Sequence, residues 1–284
     1  MFGNRIWTPV FGSLSDYSEN ELMDHVFNAS YSPVATVYVG FSTADPLDDA
    51  SGMAEPSGNN YAREAITFSA ASSRAITHAG TITFNQASGP WGTISHWFIC
   101  DHPTNTTWGT NVNLLAHGSL NTSKSVVAGN TPSIAGGEID ISFSAGEITD
   151  YLAEKLLDLM FRNTAYSSPS TYVGLFTSAL ADSDTDPSAK ECSGGSYARK
   201  QVNVNGGAAP TWELSSGGLV NNNDVITFVT PTGSWGTVTA VGIVDAASNG
   251  NLLFYDNSPG GDGQAPTTDD TVQFAANTLD VTMS

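Results

Sequence analysis

Five histidines are the side chains of this sequence best suited to acid–base catalysis. They are His25, His78, His96, His102 and His117. A hydrolase triad needs a nucleophile held beside such a base, yet no Gly-x-Ser-x-Gly turn precedes a helical pattern anywhere in the chain. None of the five recurs in the internal repeat described below. We therefore predict no catalytic residue.

Three aspartates, Asp182, Asp184 and Asp186, alternate like the first three oxygen ligands of a calcium-binding loop. The rest of the loop departs from that pattern, because Pro187 replaces the turn glycine and Ser193 stands where a bidentate glutamate is needed. We predict a solvated acidic loop, with no metal site and no cofactor. A divalent ion bound at a subunit contact is the alternative.

Two tryptophans, Trp91 and Trp235, are each followed by Gly-Thr and an apolar run. Aromatic faces can stack on sugars, so a carbohydrate platform is one interpretation. We favour the other, a core anchor, because burial of one large ring can fix two sheets.

The motif Tyr-Ala-Arg also occurs twice, as Tyr61 with Arg63 and as Tyr197 with Arg199. We expect the ring and the guanidinium to hold a loop against the sheet. With the two tryptophans, these four residues are the predicted structural anchors of the fold.

Large apolar side chains outside the repeated pattern are candidate partner contacts. Those of the N-terminal arm are Phe2, Ile6, Trp7 and Phe11. The arm is too apolar for a free tail, so we expect it to dock on a neighbouring molecule or on its own domain. Trp108 lies in a segment, 103–111, that the second copy shortens, and it is predicted to be an exposed contact.

Six blocks of similar sequence recur in the same order, which defines an internal repeat. Their offsets stay between 134 and 144 residues, and the pairs are 21–27 with 155–161, 37–43 with 171–177, 57–64 with 193–200, 89–101 with 233–245, 113–115 with 251–253, and 134–143 with 274–283. The chain is therefore two tandem copies of one domain. We predict an N-terminal arm over 1–16, a first repeat over 17–147 and a second over 148–284.

Each copy begins with a short helical pattern. In the first, Ser18 stands three residues before Glu21, which is the spacing of a capping box. In the second, Thr149 or Asp150 is expected to cap. Short alternating or apolar runs follow, separated by Gly, Ser and Pro clusters. The sequence predicts a mainly β fold, with two homologous β-sandwich or barrel-like domains, each preceded by one short α-helix.

The chain carries 28 acidic and 9 basic residues, a net charge of −19. This charge repels phosphate backbones and anionic lipids, so neither nucleic acid nor membrane is an expected partner. No apolar run approaches the roughly 18 residues needed to span a bilayer. Cys100 and Cys192 occupy non-equivalent places in the repeat, and we predict that both are free, buried thiols.

The order of these segments resembles small virion proteins of tailed bacteriophages, labelled tail-fibre-like or head-decoration proteins. In the second copy the matching motifs are YVGLFTS, SGGSYARK, WGTVTAVGIVDA, NLLFYD and TVQFAANTLDVT. The resemblance covers nearly the whole chain twice, although the first copy departs from it at HWFICDHP, residues 96–103. It implies a particle component without enzymatic activity, and it carries over no catalytic residue.

Three hypotheses follow. The first is a capsid decoration or cement protein that binds the outer surface of the assembled head, where duplication doubles the contacts of one chain. The alternative is a tail-fibre or host-attachment protein whose loops meet a receptor or glycan. The third is a glycan hydrolase, which needs two carboxylates about 5 to 10 Å apart. Expected partners are the major capsid protein or tail proteins and other copies of the chain. The expected location is the virion surface, after assembly in the host cytoplasm.

Overall fold

A computed structural model describes residues 5–7, 12–146, 148–257 and 263–283, with the backbone alone for 5–7. Phe2 and Phe11 therefore lie outside the described residues, as do the side chains of Ile6 and Trp7.

The first repeat consists of one helix and short strands. In chain order they are β1 (Arg5–Trp7), β2 (Ser13–Leu14), α1 (Asp16–Phe27), β3 (Val37–Ser42), β4 (Glu64–Ile66), β5 (Ala75–Thr77), β6 (Ile82–Thr83), β7 (Gly92–Cys100), β8 (Leu114–Val126), β9 (Pro132–Ile134) and β10 (Asp140–Ser142).

From its helix onward, the second repeat has the same order of elements, with a short 3-10 helix added. It comprises α2 (Asp150–Arg162), β11 (Thr171–Phe176), the 3-10 helix (Pro187–Lys190), β12 (Lys200–Val202), β13 (Leu219–Asn221), β14 (Ile226–Thr227), β15 (Ala240–Val244), β16 (Leu252–Asp256), β17 (Gln273–Phe274) and β18 (Asp280–Thr282).

The strands form corresponding sheets in the two repeats. In the first, the order is β2-β8-β7-β3-β4, with two smaller sheets, β1-β9-β6 and β10-β5. In the second it is β12-β11-β15-β16, with β14-β17 and β13-β18. None of these sheets closes into a barrel within the described residues. The predicted mainly β fold, with a helix ahead of each set of strands, is confirmed.

The chain forms two compact units, and both helices are divided between them. Unit 1 consists of residues 1–19, 32–143 and 156–165, and unit 2 of residues 20–31, 144–155 and 166–284. The C-terminal part of α1 thus belongs to unit 2, and the C-terminal part of α2 belongs to unit 1. The repeat boundaries given above remain a sequence-based prediction.

Contacts inside unit 2 show how it holds the end of α1. The ring of Phe27 lies edge to face against Trp212, and Asp24 accepts a 2.8 Å hydrogen bond from the Ser215 amide. Unit 1 holds the end of α2 in the same way. Phe161 packs on Phe68 with centroids 5.3 Å apart, and Asp158 accepts a 2.9 Å hydrogen bond from the Ala71 amide.

The helix N-termini differ in part from the prediction. The capping box at Ser18 is wrong, because α1 begins two residues earlier and Ser15 receives the Ser18 amide at 3.2 Å. In α2 the expected Thr149 is the cap and receives the Leu152 amide at 3.3 Å. Neither helix within the described ranges is long and apolar enough to cross a membrane.

Candidate functional site

The first Tyr-Ala-Arg motif closes a buried ionic cluster with Glu55. Arg63 binds the carboxylate with two parallel bonds, Nε to Oε1 at 2.8 Å and Nη2 to Oε2 at 2.6 Å. Tyr61 donates to Oε1 at 2.9 Å, and the other guanidinium nitrogen donates to the His102 carbonyl at 2.6 Å. The cluster joins a loop to the segment that follows β7 through charge-assisted hydrogen bonds.

The second repeat builds the same cluster around Glu191. Arg199 donates to both carboxylate oxygens, at 2.8 and 2.7 Å, and Tyr197 donates to Oε1 at 2.9 Å. The remaining guanidinium nitrogen of Arg199, Nη1, donates to the carbonyls of Ala246 and Asn249. The two repeats therefore hold equivalent loops by equivalent bonds.

The chemistry of these clusters is that of a fixed scaffold. Burial, with the neighbouring glutamate, raises the pKa of Tyr61 and of Tyr197 well above its usual range, so each phenol stays a protonated donor. Each phenol oxygen also accepts a backbone amide, from Phe41 at 2.9 Å and from Leu175 at 2.8 Å. A carboxylate whose two oxygens both accept hydrogen bonds from buried partners is suited to fixing the loop in one position rather than to proton transfer.

The two glutamates were missed by the sequence reasoning, although a signal was present. Glu55 and Glu191 each stand eight residues before the arginine, in the shared pattern E-x-S-G-x-x-Y-A-R. Extending the matched block by two residues toward the N-terminus would have included them and identified the partner of each arginine.

The structure places Trp91 and Trp235 in the core, where they are 5% and 2% exposed. Each ring packs edge to face on the tyrosine of its cluster, Tyr61 or Tyr197, with centroids 5.1 Å apart in both repeats. Each indole nitrogen donates to a backbone carbonyl of the adjacent loop. Rings buried in this way present no face on which a sugar could stack.

The loop between β7 and β8 is longer than its counterpart between β15 and β16. In both repeats, an aspartate at the start of the loop accepts hydrogen bonds from the backbone and side-chain amides of an asparagine at its end. The pairs are Asp101 with Asn113 and Asp245 with Asn251. The first loop runs over 102–112 and the second only over 246–250. The first loop is thus longer, while the Asp–Asn hydrogen bonds that join its two ends are the same in both repeats.

Trp108 lies inside this longer loop and is half-buried. Its ring covers the guanidinium of Arg63 at 4.9 Å and meets Phe98 edge to face, with centroids 5.4 Å apart. The side chains around it, by contrast, are exposed, namely Thr104, Thr106, Thr107, Thr110 and Asn111. Trp108 therefore supports the loop from below, and its predicted role as a partner contact stays a prediction.

The aspartates of the acidic loop turn to separate protein partners. Asp182 accepts from the Tyr255 hydroxyl at 2.6 Å and Asp184 from the Lys190 ammonium at 2.6 Å. Asp186 caps the 3-10 helix by accepting from the Ser188 amide at 3.1 Å. In the part of the chain that the structure describes, no group of three His, Cys, Asp or Glu side chains could hold a metal ion.

The histidines are engaged in local structure. His25 and His78 are buried, and each accepts a backbone amide at 3.0 Å on Nδ1. Burial lowers the pKa of both, so they remain neutral acceptors. His102 accepts the amides of Thr104 and Asn105 and so shapes the start of the long loop.

A polar cluster on the surface of unit 1 contains the remaining two histidines. His117 binds Asp48 at 2.8 Å, and His96 lies 2.9 Å from the Ser95 hydroxyl. Asp45 is more than half exposed and lies 3.9 Å from His96, beyond hydrogen-bond distance. The order Ser–His–Asp thus occurs here without the bond that would orient the imidazole.

One protein-family model matches this chain twice. The model, described as podophage GP4 fiber I protein gp80, matches residues 13–142 and residues 147–282. No curated protein matches the chain. The two matches cover both repeats, and they confirm the predicted resemblance to phage virion proteins in tandem copies.

Proposed function

Because this chain belongs to the family of the podophage GP4 fiber I protein gp80, we propose that it is a non-enzymatic subunit of a tail fibre that takes part in host attachment. The family match over both repeats carries this proposal. The chain is a structural protein of the phage virion, and the word fiber in the family description favours the tail-fibre hypothesis over capsid decoration.

The long loop of the first repeat is the surface that we assign to receptor contact. Its base is rigid, since Asp101 and Asn113 clamp it and Arg63 binds the His102 carbonyl. Its exposed side chains are mainly threonine and asparagine, whose hydroxyl and amide groups suit the hydroxyls of a host glycan. A preformed loop loses little conformational entropy on binding.

The tandem repeat fits attachment for a second reason. A fibre meets many receptors at once, so weak contacts from several copies combine into high avidity without tight binding by any single loop. Tail proteins and other copies of this chain are its proposed partners.

Immunogold labelling of intact particles tests the location. We expect antibodies against this chain to mark the tail fibres, at a copy number far below that of the capsid protein. Label spread over the head at a copy number close to that of the capsid subunits would support a decoration protein and reject the fibre assignment.

A loop replacement tests attachment. Exchanging residues 102–112 for the five residues 246–250 keeps the Asp–Asn clamp and supplies carbonyls to Arg63, as the second repeat does for Arg199. Phage carrying this variant should assemble normally and adsorb to host cells at least tenfold more slowly. A matched control replaces 246–250 with five glycine and serine residues. Normal adsorption by the first variant would exclude the loop as the receptor contact.

Incubation of the protein with host polysaccharide tests the non-enzymatic part of the proposal. We expect no new reducing ends. Their release would instead support a glycan hydrolase, and loss of activity in Asp45→Asn or His96→Gln would locate it at the polar surface cluster.

A further inference from the structure

The N-terminal arm fills an edge of the first repeat. Strand β1 pairs in parallel with β9, placing Ile6 opposite Ser133. Farther along, the Gly12 amide donates to the Asp140 carbonyl at 3.1 Å, and β2 joins β8. A side chain at position 12 would collide with Trp97, so this part of the arm lies directly against the core.

The equivalent edge of the second repeat has no such strand within the described residues. Strand β17 corresponds to β9, and its sheet contains only β14 and β17. The burial differs accordingly. Ser133 and Ile134 are 7% and 0% exposed, whereas their counterparts Gln273 and Phe274 are exposed and half-buried.

Unit 2 also contains a groove. It is lined by Val241–Ile243, Phe254–Asp256 and Leu279–Val281. By the repeat alignment, these segments correspond to those that Gly12 and β2 contact in the first repeat, including Trp97, His117 and Asp140. The place of β2 is filled in the second repeat, because Ile148 bridges Phe254 as Leu14 pairs with Ala116. The edge of β17 and the rest of the groove thus correspond to the surfaces that β1 and Gly12 contact in the first repeat.

The reason for the difference lies in the connection between the repeats. The segment of the second repeat that corresponds to the arm includes residues 140–142, and these form β10, which pairs with β5 in unit 1. The same residues cannot also lie beside β17. Within the described residues, the edge of β17 and the part of the groove that corresponds to the Gly12 contacts therefore have no segment of the chain beside them.

We propose that the edge of β17 and the groove, which by the repeat alignment correspond to the sites of β1 and Gly12, bind an extended segment of another virion protein, which adds to the sheet as a parallel strand. A second copy's arm is the weaker candidate, because that arm already pairs with β9 of its own chain and moving it gains no pairing. The segment should be apolar and uncharged or basic, since Asp256 and Asp280 line the groove and Arg5 is the one charged side chain among residues 1–15 of the arm.

The hydrogen-bonding groups at this edge can be assigned. The Val272 carbonyl accepts from the Phe228 amide at 2.9 Å, toward β14. Because successive peptide groups of a strand face opposite sides, the amide and carbonyl of Gln273 face the open edge. A proline at 273 removes that donor and leaves the β14 side intact.

The test uses the full chain and a labelled peptide with the sequence of residues 1–14, MFGNRIWTPVFGSL, followed by fluorescence anisotropy. We expect one peptide to bind per chain, at least tenfold more weakly to Gln273→Pro and with unchanged affinity to Gln273→Thr. A scrambled peptide is the control for apolar adhesion. Thermal unfolding of both variants shows that the fold is retained.

Absence of binding, or equal binding to Gln273→Pro and Gln273→Thr, would overturn the proposal. Self-association of the chain that disappears when residues 1–11 are removed would identify a second copy as the occupant and would overturn the assignment to another protein. Because the readout is peptide binding in vitro, a negative result for host attachment leaves it unaffected.

Discussion

The rings of Phe27 and Trp212 meet edge to face, with centroids 4.8 Å apart, inside unit 2. Phe27 ends the helix of the first repeat, and Trp212 belongs to the second repeat and is fully buried. The end of each helix is thus part of the core formed mainly by the other repeat.

This relationship predicts where truncation of Phe27 acts. Phe27→Ala should lower the free energy of unfolding by about 3–5 kcal/mol, because it removes a buried ring from the core. Hydrogen exchange should accelerate first in unit 2, for example in β16. The matched variant Phe161→Ala should act first on unit 1, where Phe161 meets Phe68. If hydrogen exchange instead accelerated first in unit 1 for Phe27→Ala and in unit 2 for Phe161→Ala, the assignment of the helix ends to the two cores would be wrong.

Removing one partner of a buried ion pair should be costly. Arg63→Met leaves the Glu55 carboxylate buried without its bidentate partner, and we expect a loss of about 3–5 kcal/mol in urea unfolding at pH 7. Arg199→Met should behave alike in unit 2. The double variant Arg63→Met, Glu55→Met should recover part of the loss, because no charge remains buried. Lys155→Met, at an exposed position, is the control.

Glu19 should make the stability of the chain depend on pH. Burial, Asp48 and Asp16 raise the pKa of Glu19 from 4.5 to about 7. The folded state therefore holds a proton that the unfolded state releases, so this residue lowers stability as the pH rises from about 4.5 to about 7. Glu19→Gln should raise the melting temperature at pH 8 and change it little at pH 4. An equal effect at both pH values would exclude this titration as the cause.

The two cysteines should resist alkylation in the folded protein. Burial raises the pKa of Cys100 to about 12 and that of Cys192 to about 11, and only the thiolate is nucleophilic. At pH 8, iodoacetamide should leave the native protein unmodified and should label both sites in urea, as measured by mass spectrometry. Rapid labelling of either site without denaturant would show that it opens readily.

Several features followed from the sequence because they depend on local pattern. The recurrence of Trp-Gly-Thr and Tyr-Ala-Arg at nearly constant spacing identified two copies of one fold. Alternation of apolar residues indicated strands, and Thr149 ahead of an apolar helical stripe indicated a helix start. These signals act over a few residues, where backbone geometry and side-chain type are directly coupled.

The tertiary structure decided what depends on residues far apart in the chain. Ser15 rather than Ser18 caps α1, because folding also places the Ser18 hydroxyl 2.8 Å from the Leu115 carbonyl. The absence of a strand beside β17, within the described residues, likewise depends on β10, which holds the corresponding residues of the second repeat in unit 1. Two copies with similar sequence therefore acquire different edges, because a segment that pairs within one unit is not available at the equivalent edge of the other.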